Sequence, residues 1–192
     1  MAKIKRITKE TNVVLELTLS GEGKSEIATG IGFFDHLLEL LAFHGCFDLK
    51  VQCEGDLTVC GHHSVEDVGM VLGQAFFQEW QVSKDLQRFG QAHIPMDDAL
   101  ASAVVDISGR SFLVFHAEFK SPKVGDFETE LVREFFQAFV SHGRINLHLQ
   151  VLYGENTHHQ IEALFKAAAV ALRRALRLDS ERKGVASTKG KL

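Results

Sequence analysis

Apolar and polar positions along this chain alternate in short runs and recur at helical spacing in longer ones. Asn12 to Leu19 is a β-rich run that ends at Ser20-Gly21. Gly32 to His44 carries Phe33, Phe34, Leu37, Leu40 and Leu41 at helical spacing and stops at Gly45, where a helix-ending glycine belongs. Phe47 to Cys53 alternates like a strand, and Val65 to Trp80 predicts a helix with Ser64 as its N-cap. Ala101 to Ile107 and Phe112 to Phe119 read as strands, Leu131 to His142 as a helix before Gly143, and Ile145 to Leu152 as another strand. Ile161 to Leu176 closes the series as an amphipathic helix. Helices standing singly among strands favour an α+β fold over a doubly wound parallel sheet.

The pattern also repeats. Asp35–Gln52 aligns with Arg133–Gln150 at an offset of 98, matching polar as well as apolar positions. His62-His63-Ser64-Val65-Glu66 aligns with His158-His159-Gln160-Ile161-Glu162 at an offset of 96, and Leu19-Ser20-Gly21 with Ile107-Ser108-Gly109 at 88. A repeat of this length is a property of the fold. The expectation is one domain over 1–192, built from two similar tandem halves of about 1–93 and 94–192.

Composition narrows the class. The chain has 45% hydrophobic and 24% charged residues and a net charge of −4, as expected of a globular protein and not of a disordered one. Neither a nucleic-acid surface nor an anionic-membrane surface is indicated, and no apolar run is long enough to span a bilayer. The opening Met-Ala-Lys-Ile-Lys-Arg lacks the apolar stretch of a signal peptide, so a cytoplasmic location is expected. Three cysteines, Cys46, Cys53 and Cys60, suit neither a disulfide framework nor a Cys-based zinc site.

The histidines, ten in number, are the unusual feature. Two of the repeated segments read His-His-x-x-Glu. Adjacent residues on a helix point about 100° apart, so His62 and His63 cannot readily serve one ion together. Glu66 shares a face with either. Each motif therefore supplies ligands to two metal positions, and two motifs related by a pseudo-twofold build two equivalent sites, each drawing on both halves. The repeat also places His36 opposite Glu134. The ligand set is then His36, His62, His63, Glu66, Glu134, His158, His159 and Glu162, or four per ion for two ions. Mixed imidazole and carboxylate donors suit Mn, Fe, Zn or Ni better than Ca or Mg.

With these residues in view, the sequence resembles the imidazoleglycerol-phosphate dehydratase family over essentially its whole length. The resemblance runs through Lys9-Glu10-Thr11-Asn12, Thr29–His36, His62–Asp67, Arg88-Phe89-Gly90 and Pro95–Leu100. It continues through Ser108-Gly109-Arg110, Asn156–His159, Phe165-Lys166-Ala167 and Ser187–Gly190. The chain departs at Gly61, Glu128 and Ala186, where Asp, Asp and Pro are usual, and at Glu134, where some members carry histidine.

The resemblance implies a lyase of histidine biosynthesis that dehydrates imidazole glycerol phosphate to imidazole acetol phosphate with two Mn²⁺ ions, for which Fe or Zn fit the same donors. It implies assembly through trimers into a 24-subunit shell with active sites between subunits. Two cations on the ring nitrogens would stabilise the imidazolate, which expels the neighbouring hydroxyl and gives a diazafulvene intermediate. Glu10 matches the family's catalytic glutamate and, at the offset of 88, falls on Asp98. The candidate substrate contacts are Glu10, His44, Arg88, Asp98, Arg110, Lys166, Ser187 and Lys189, the cations among them serving the phosphate. The match further implies that the basic stretch from Arg182 to Lys189 orders over substrate, although composition alone reads as a disordered tail. Capping is an alternative use for His44, His142 and Asp98. Two other readings use the same ligands: a dinuclear metal phosphoesterase, and a non-catalytic assembly protein glued by metal.

Overall fold

A computed structural model of the chain describes residues 1–83, 85–181 and 184–190. The first half contains β1 (Ala2–Ile7), β2 (Thr11–Thr18), β3 (Ser25–Ala28), α1 (Gly32–Gly45), β4 (Asp48–Gly55) and α2 (His62–Trp80). The second contains β5 (Phe89–Met96), β6 (Ala99–Asp106), β7 (Phe112–His116), α3 (Leu131–Gly143), β10 (Asn146–Tyr153) and α4 (Thr157–Ala175). A small ribbon of β8 (Lys123–Val124) and β9 (Phe127–Glu128) is inserted before α3.

The two four-stranded sheets have the same topology, β1-β2-β4-β3 and β5-β6-β10-β7. In each, an antiparallel hairpin is followed by a strand that pairs parallel to its successor across a helix, β3 with β4 and β7 with β10. The expected α+β duplication is therefore present. Its join differs, because β5 takes the place of β1 and runs straight through residue 93. The second half thus begins before Phe89. Pro95 and the exposed Phe89 obscure the β5 alternation in the sequence.

The helices are packed between the sheets, and they cross over between the halves. α2 lies on β1 and β2 and packs against α3 of the other half, while α4 lies on β5 and β6 and packs against α1. On β2 the inward residues are Val13, Leu15 and Leu17, whereas β6 turns Ala99, Ala101 and Ala103 inward. The small residues let α4 come close. A Cβ at Gly90 would collide with the backbone of Ala171 and Ala175. α4 answers with Ala163, Ala167, Ala168, Ala171 and Ala175, all buried.

Two helix starts differ from the spacing-based expectation. α2 begins at His62, and Ser64 is not its N-cap: the side chain is fully buried against Gly55, where a glycine leaves room for it. α4 begins at Thr157, capped by Asn156, whose side chain accepts from the backbone N–H groups of His158 and His159. β7 stops at His116, opposite Gln150, the last β10 residue that it pairs with, so the strand is shorter than Phe112 to Phe119. No helix among the described residues is long and apolar enough to cross a membrane.

Candidate metal centre

The first turns of three helices meet around Gly61. A Cβ there would lie 3.0 Å from Ile31, just before α1, and 3.4 Å from Leu131, which opens α3. The α1 turn is fixed by Asp35, whose Oδ1 accepts from the Thr29 backbone N–H at 2.9 Å and from the Thr29 hydroxyl. The α2 turn is fixed by the buried Asp67, which receives Arg6 Nε at 2.9 Å and the Thr11 hydroxyl. His36 on the first of these anchored turns and His62-His63 on the second have little freedom to wander.

At the α1–α4 contact, His36 Nε2 and His158 Nε2 each lie 2.8 Å from the same oxygen, Oε1 of Glu162. Among the described residues this is the one trio of His, Cys, Asp or Glu whose donor atoms all lie within 4.8 Å of each other. Glu162 is only 5% exposed, and its other oxygen receives Lys166 Nζ at 2.5 Å. Burial pushes its carboxyl up, but the hydrogen bonds from Lys166, His36 and His158 outweigh that and hold it down to about 2. A buried carboxylate between two imidazoles fits a divalent transition metal, which would take the place of the shared protons. Phe33 packs beside His158 with ring centroids 4.9 Å apart and planes tilted by 45°.

His63 and His159 are turned differently from their neighbours. His62 and His63 lie edge to face, as do His158 and His159, so the partners in each pair point apart. His63 Nδ1 is held by Asp56 at 3.0 Å, which raises its pKa, and its Nε2 lies 3.8 Å from Glu10. His159 Nδ1 is held by Asp98 at 2.6 Å, and its Nε2 lies 3.5 Å from Asp97. Asp98 also accepts from the backbone N–H groups of Glu155 and Asn156, and these contacts with His159 keep its carboxyl well below the usual range. It thus caps the loop ahead of α4 and orients a histidine at once.

The remaining predicted residues are more dispersed. Glu134 on α3 lies within 4.0 Å of Arg133, and exposed Glu66 sits one turn into α2; with His62 they form no comparable trio among the described residues. His44 is half-buried, and burial together with Lys166 and Arg173 lowers its pKa. Arg88 is bonded to Asp106 and to the Ala186 carbonyl, and it lines a cavity of about 460 Å³ with Val185, Ala186, Ser187 and Thr188. Lys189 donates its backbone N–H to Ser187 Oγ at 3.2 Å. Arg110 is exposed, its carbonyl accepting from Asn146. Arg182 and Lys183, expected in the same basic stretch, lie outside the described residues.

Asp56 is the orienting residue that the sequence pattern does not reveal. At the offset of 98 its counterpart is Gly154, and the equivalent task for His159 falls to Asp98 from another loop. The only available signal is a carboxylate shortly ahead of the paired histidines.

The family model for imidazoleglycerol-phosphate dehydratase matches residues 29–172. The chain is similar to an imidazoleglycerol-phosphate dehydratase of Citrifermentans bemidjiense, 52% identical over 191 residues and covering 100% of this chain and 98% of that one. It also resembles the crystal structure of the imidazoleglycerol-phosphate dehydratase from Staphylococcus aureus, with a TM-score of 0.83 at 41% identity over 92% of this chain and 98% of that one. The crystal structure of IGPD from Pyrococcus furiosus superposes with a TM-score of 0.85 at 36% identity, over 98% and 100% of the two chains.

Proposed function

Because this chain belongs to the imidazoleglycerol-phosphate dehydratase family, we propose that it is a metal-dependent hydro-lyase that dehydrates imidazole glycerol phosphate to imidazole acetol phosphate in histidine biosynthesis. The observation that carries the metal-dependent part is the cross-half trio of His36, His158 and Glu162.

His36, His158 and Glu162 would hold one divalent cation. Through the duplication, His62, Glu66 and Glu134 would hold its counterpart. His63 and His159, each turned by a carboxylate, would complete the sites of neighbouring subunits in a large homo-oligomer. Mn²⁺ is the ion favoured, with Fe and Zn compatible with the same donors. Cations held by these residues would supply charge stabilisation for the substrate ring without its N–H proton, the form from which the neighbouring hydroxyl departs.

Glu10 supplies the acid–base step. It is exposed at the turn between β1 and β2, with its backbone carbonyl bonded to Asp56 N–H at 3.0 Å and its carboxylate beside His63. From there it takes the substrate's C–H proton or passes a proton to the departing hydroxyl. Arg88, Arg110, Lys166, Ser187 and Lys189 bind the phosphate, and Val185–Gly190 closes over it. Lys166, which donates to Glu162 at 2.5 Å, would link the cation site to the phosphate. His44 contacts the substrate from the end of α1.

The test is to strip the protein with chelator, restore Mn²⁺, and follow imidazole acetol phosphate while counting bound metal. The reading requires activity to return at about two ions per chain. Metal bound at that ratio without product would shift the reading to a phosphoesterase or an assembly protein.

A further inference from the structure

Arg88 is held more firmly than a surface arginine needs to be. It is not glycine, yet its backbone sits at φ 70. Its N–H donates to the Ala175 carbonyl at 3.0 Å and its carbonyl accepts from Ile107 N–H at 3.0 Å, so the strained conformation is pinned on both sides. The side chain is pinned as well. Nε and Nη2 reach the two oxygens of Asp106 at 2.6 and 3.1 Å, a two-pronged pairing, and Nη1 reaches the Ala186 carbonyl at 2.7 Å. Asp106 can do this because it ends β6 directly opposite Phe89 in the β5–β6 register, beside Arg88. The pair is mostly buried, with side-chain exposures of 16% and 21%.

A guanidinium has five N–H donors. Three are used here, leaving one on each terminal nitrogen for the cavity that Arg88 shares with Val185, Ala186, Ser187 and Thr188. We infer that Asp106 is a positioning residue: it fixes the plane of the Arg88 guanidinium so that one face of the fork carries the C-terminal strap and the remaining N–H groups receive the substrate's phosphate. This rests on the reading of Arg88 as a phosphate contact given above, and goes beyond it in assigning the residue that aims the arginine.

The inference has a sign that simple charge does not share. Removing a carboxylate beside an anion site would, by Coulomb attraction alone, tighten phosphate binding. Loss of aim weakens it. Asp106→Asn in the Mn²⁺-loaded protein is therefore expected to raise KM for imidazole glycerol phosphate and the inhibition constant of inorganic phosphate together, each by about tenfold, with kcat within about twofold. Asp106→Glu keeps the charge but displaces the fork, and is expected to show the same split. Unchanged or lower KM and inhibition constant in both variants would overturn the inference. Arg88→Lys separates the two layers. If it weakens phosphate while the Asp106 variants do not, the phosphate reading stands and the role of Asp106 is wrong. If Arg88→Lys also leaves both constants unchanged, the phosphate reading of Arg88 fails and the inference fails with it.

Discussion

His36 and Glu162 stand 126 residues apart in the chain and 2.8 Å apart in the fold. They meet because α1 of the first half packs on α4 of the second, so each half contributes to a site that neither could build alone. Glu162→Gln and His36→Ala are each expected to reduce tightly bound Mn²⁺ from about two ions to about one per chain, since the carboxylate charge or an imidazole donor is lost. Elemental analysis after dialysis decides this. Retention of both ions in both variants would show that the cross-half trio is not a ligand set.

Glu10 is the natural target for separating chemistry from metal binding. It lies 3.8 Å from a histidine nitrogen but belongs to no buried network, with its side chain more than half exposed. Glu10→Gln is expected to leave metal content and melting temperature unchanged while lowering kcat by about 10²–10⁴-fold, the usual worth of a positioned acid–base group. Turnover within about threefold of the parent protein would remove Glu10 from the acid–base step.

Much of this arrangement is legible in the sequence, and the parts that are not have physical reasons. The long helices and the central strands declare themselves because a buried face needs a continuous apolar period, as in β2 and α4. The duplication is visible because Asp35–Gln52 and Arg133–Gln150 keep polar matches as well as apolar ones. The edge strands β3 and β5 are hidden: β3 is four residues of which only Ile27 is half-buried, and β5 mixes Gly90, His93 and Pro95. The starts of α2 and α4 are displaced because the first turns carry polar, chemistry-bearing residues in place of the apolar spacing that marks a helix. Which helix packs on which lies outside any periodic pattern. It depends on the small-residue contact at Gly90 and on the crossing of halves, and that is what brings His36 to Glu162.

The Gly90 contact can be tested directly. The atoms a Cβ would meet there belong to the α4 backbone, not to a flexible side chain, so α4 itself must move. Gly90→Ala is expected to cost about 1–3 kcal/mol by overpacking, a fall in Tm of roughly 3–10 °C. Gly32→Ala is the matched control, because nothing lies within 4 Å of a Cβ at Gly32. Calorimetry or circular dichroism of the two variants should show a large shift in the first and almost none in the second. Equal shifts would mean that the close approach of α4 to β5 does not set the stability.

Asp48 gives a prediction in pH, away from the metal-binding residues. Its Oδ1 accepts from the backbone N–H groups of Lys24 at 3.0 Å and Glu22 at 2.8 Å, tying the turn between β2 and β3 to the start of β4. These backbone hydrogen bonds, that of Lys24 first, hold its carboxyl below the usual value. A carboxylate whose pKa is depressed by folding stabilises the native state above its unfolded pKa of about 3.9, and that stabilisation disappears as pH falls through the lower folded value. Asp48→Asn removes the charge at every pH. The parent protein should therefore melt above the variant by a constant margin from about pH 8 to pH 5, and the margin should close below about pH 4. Any release of metal in acid affects both proteins alike and cancels in the difference. A margin that persists unchanged at pH 3 would mean that Asp48 acts through packing or neutral hydrogen bonding and not through its charge.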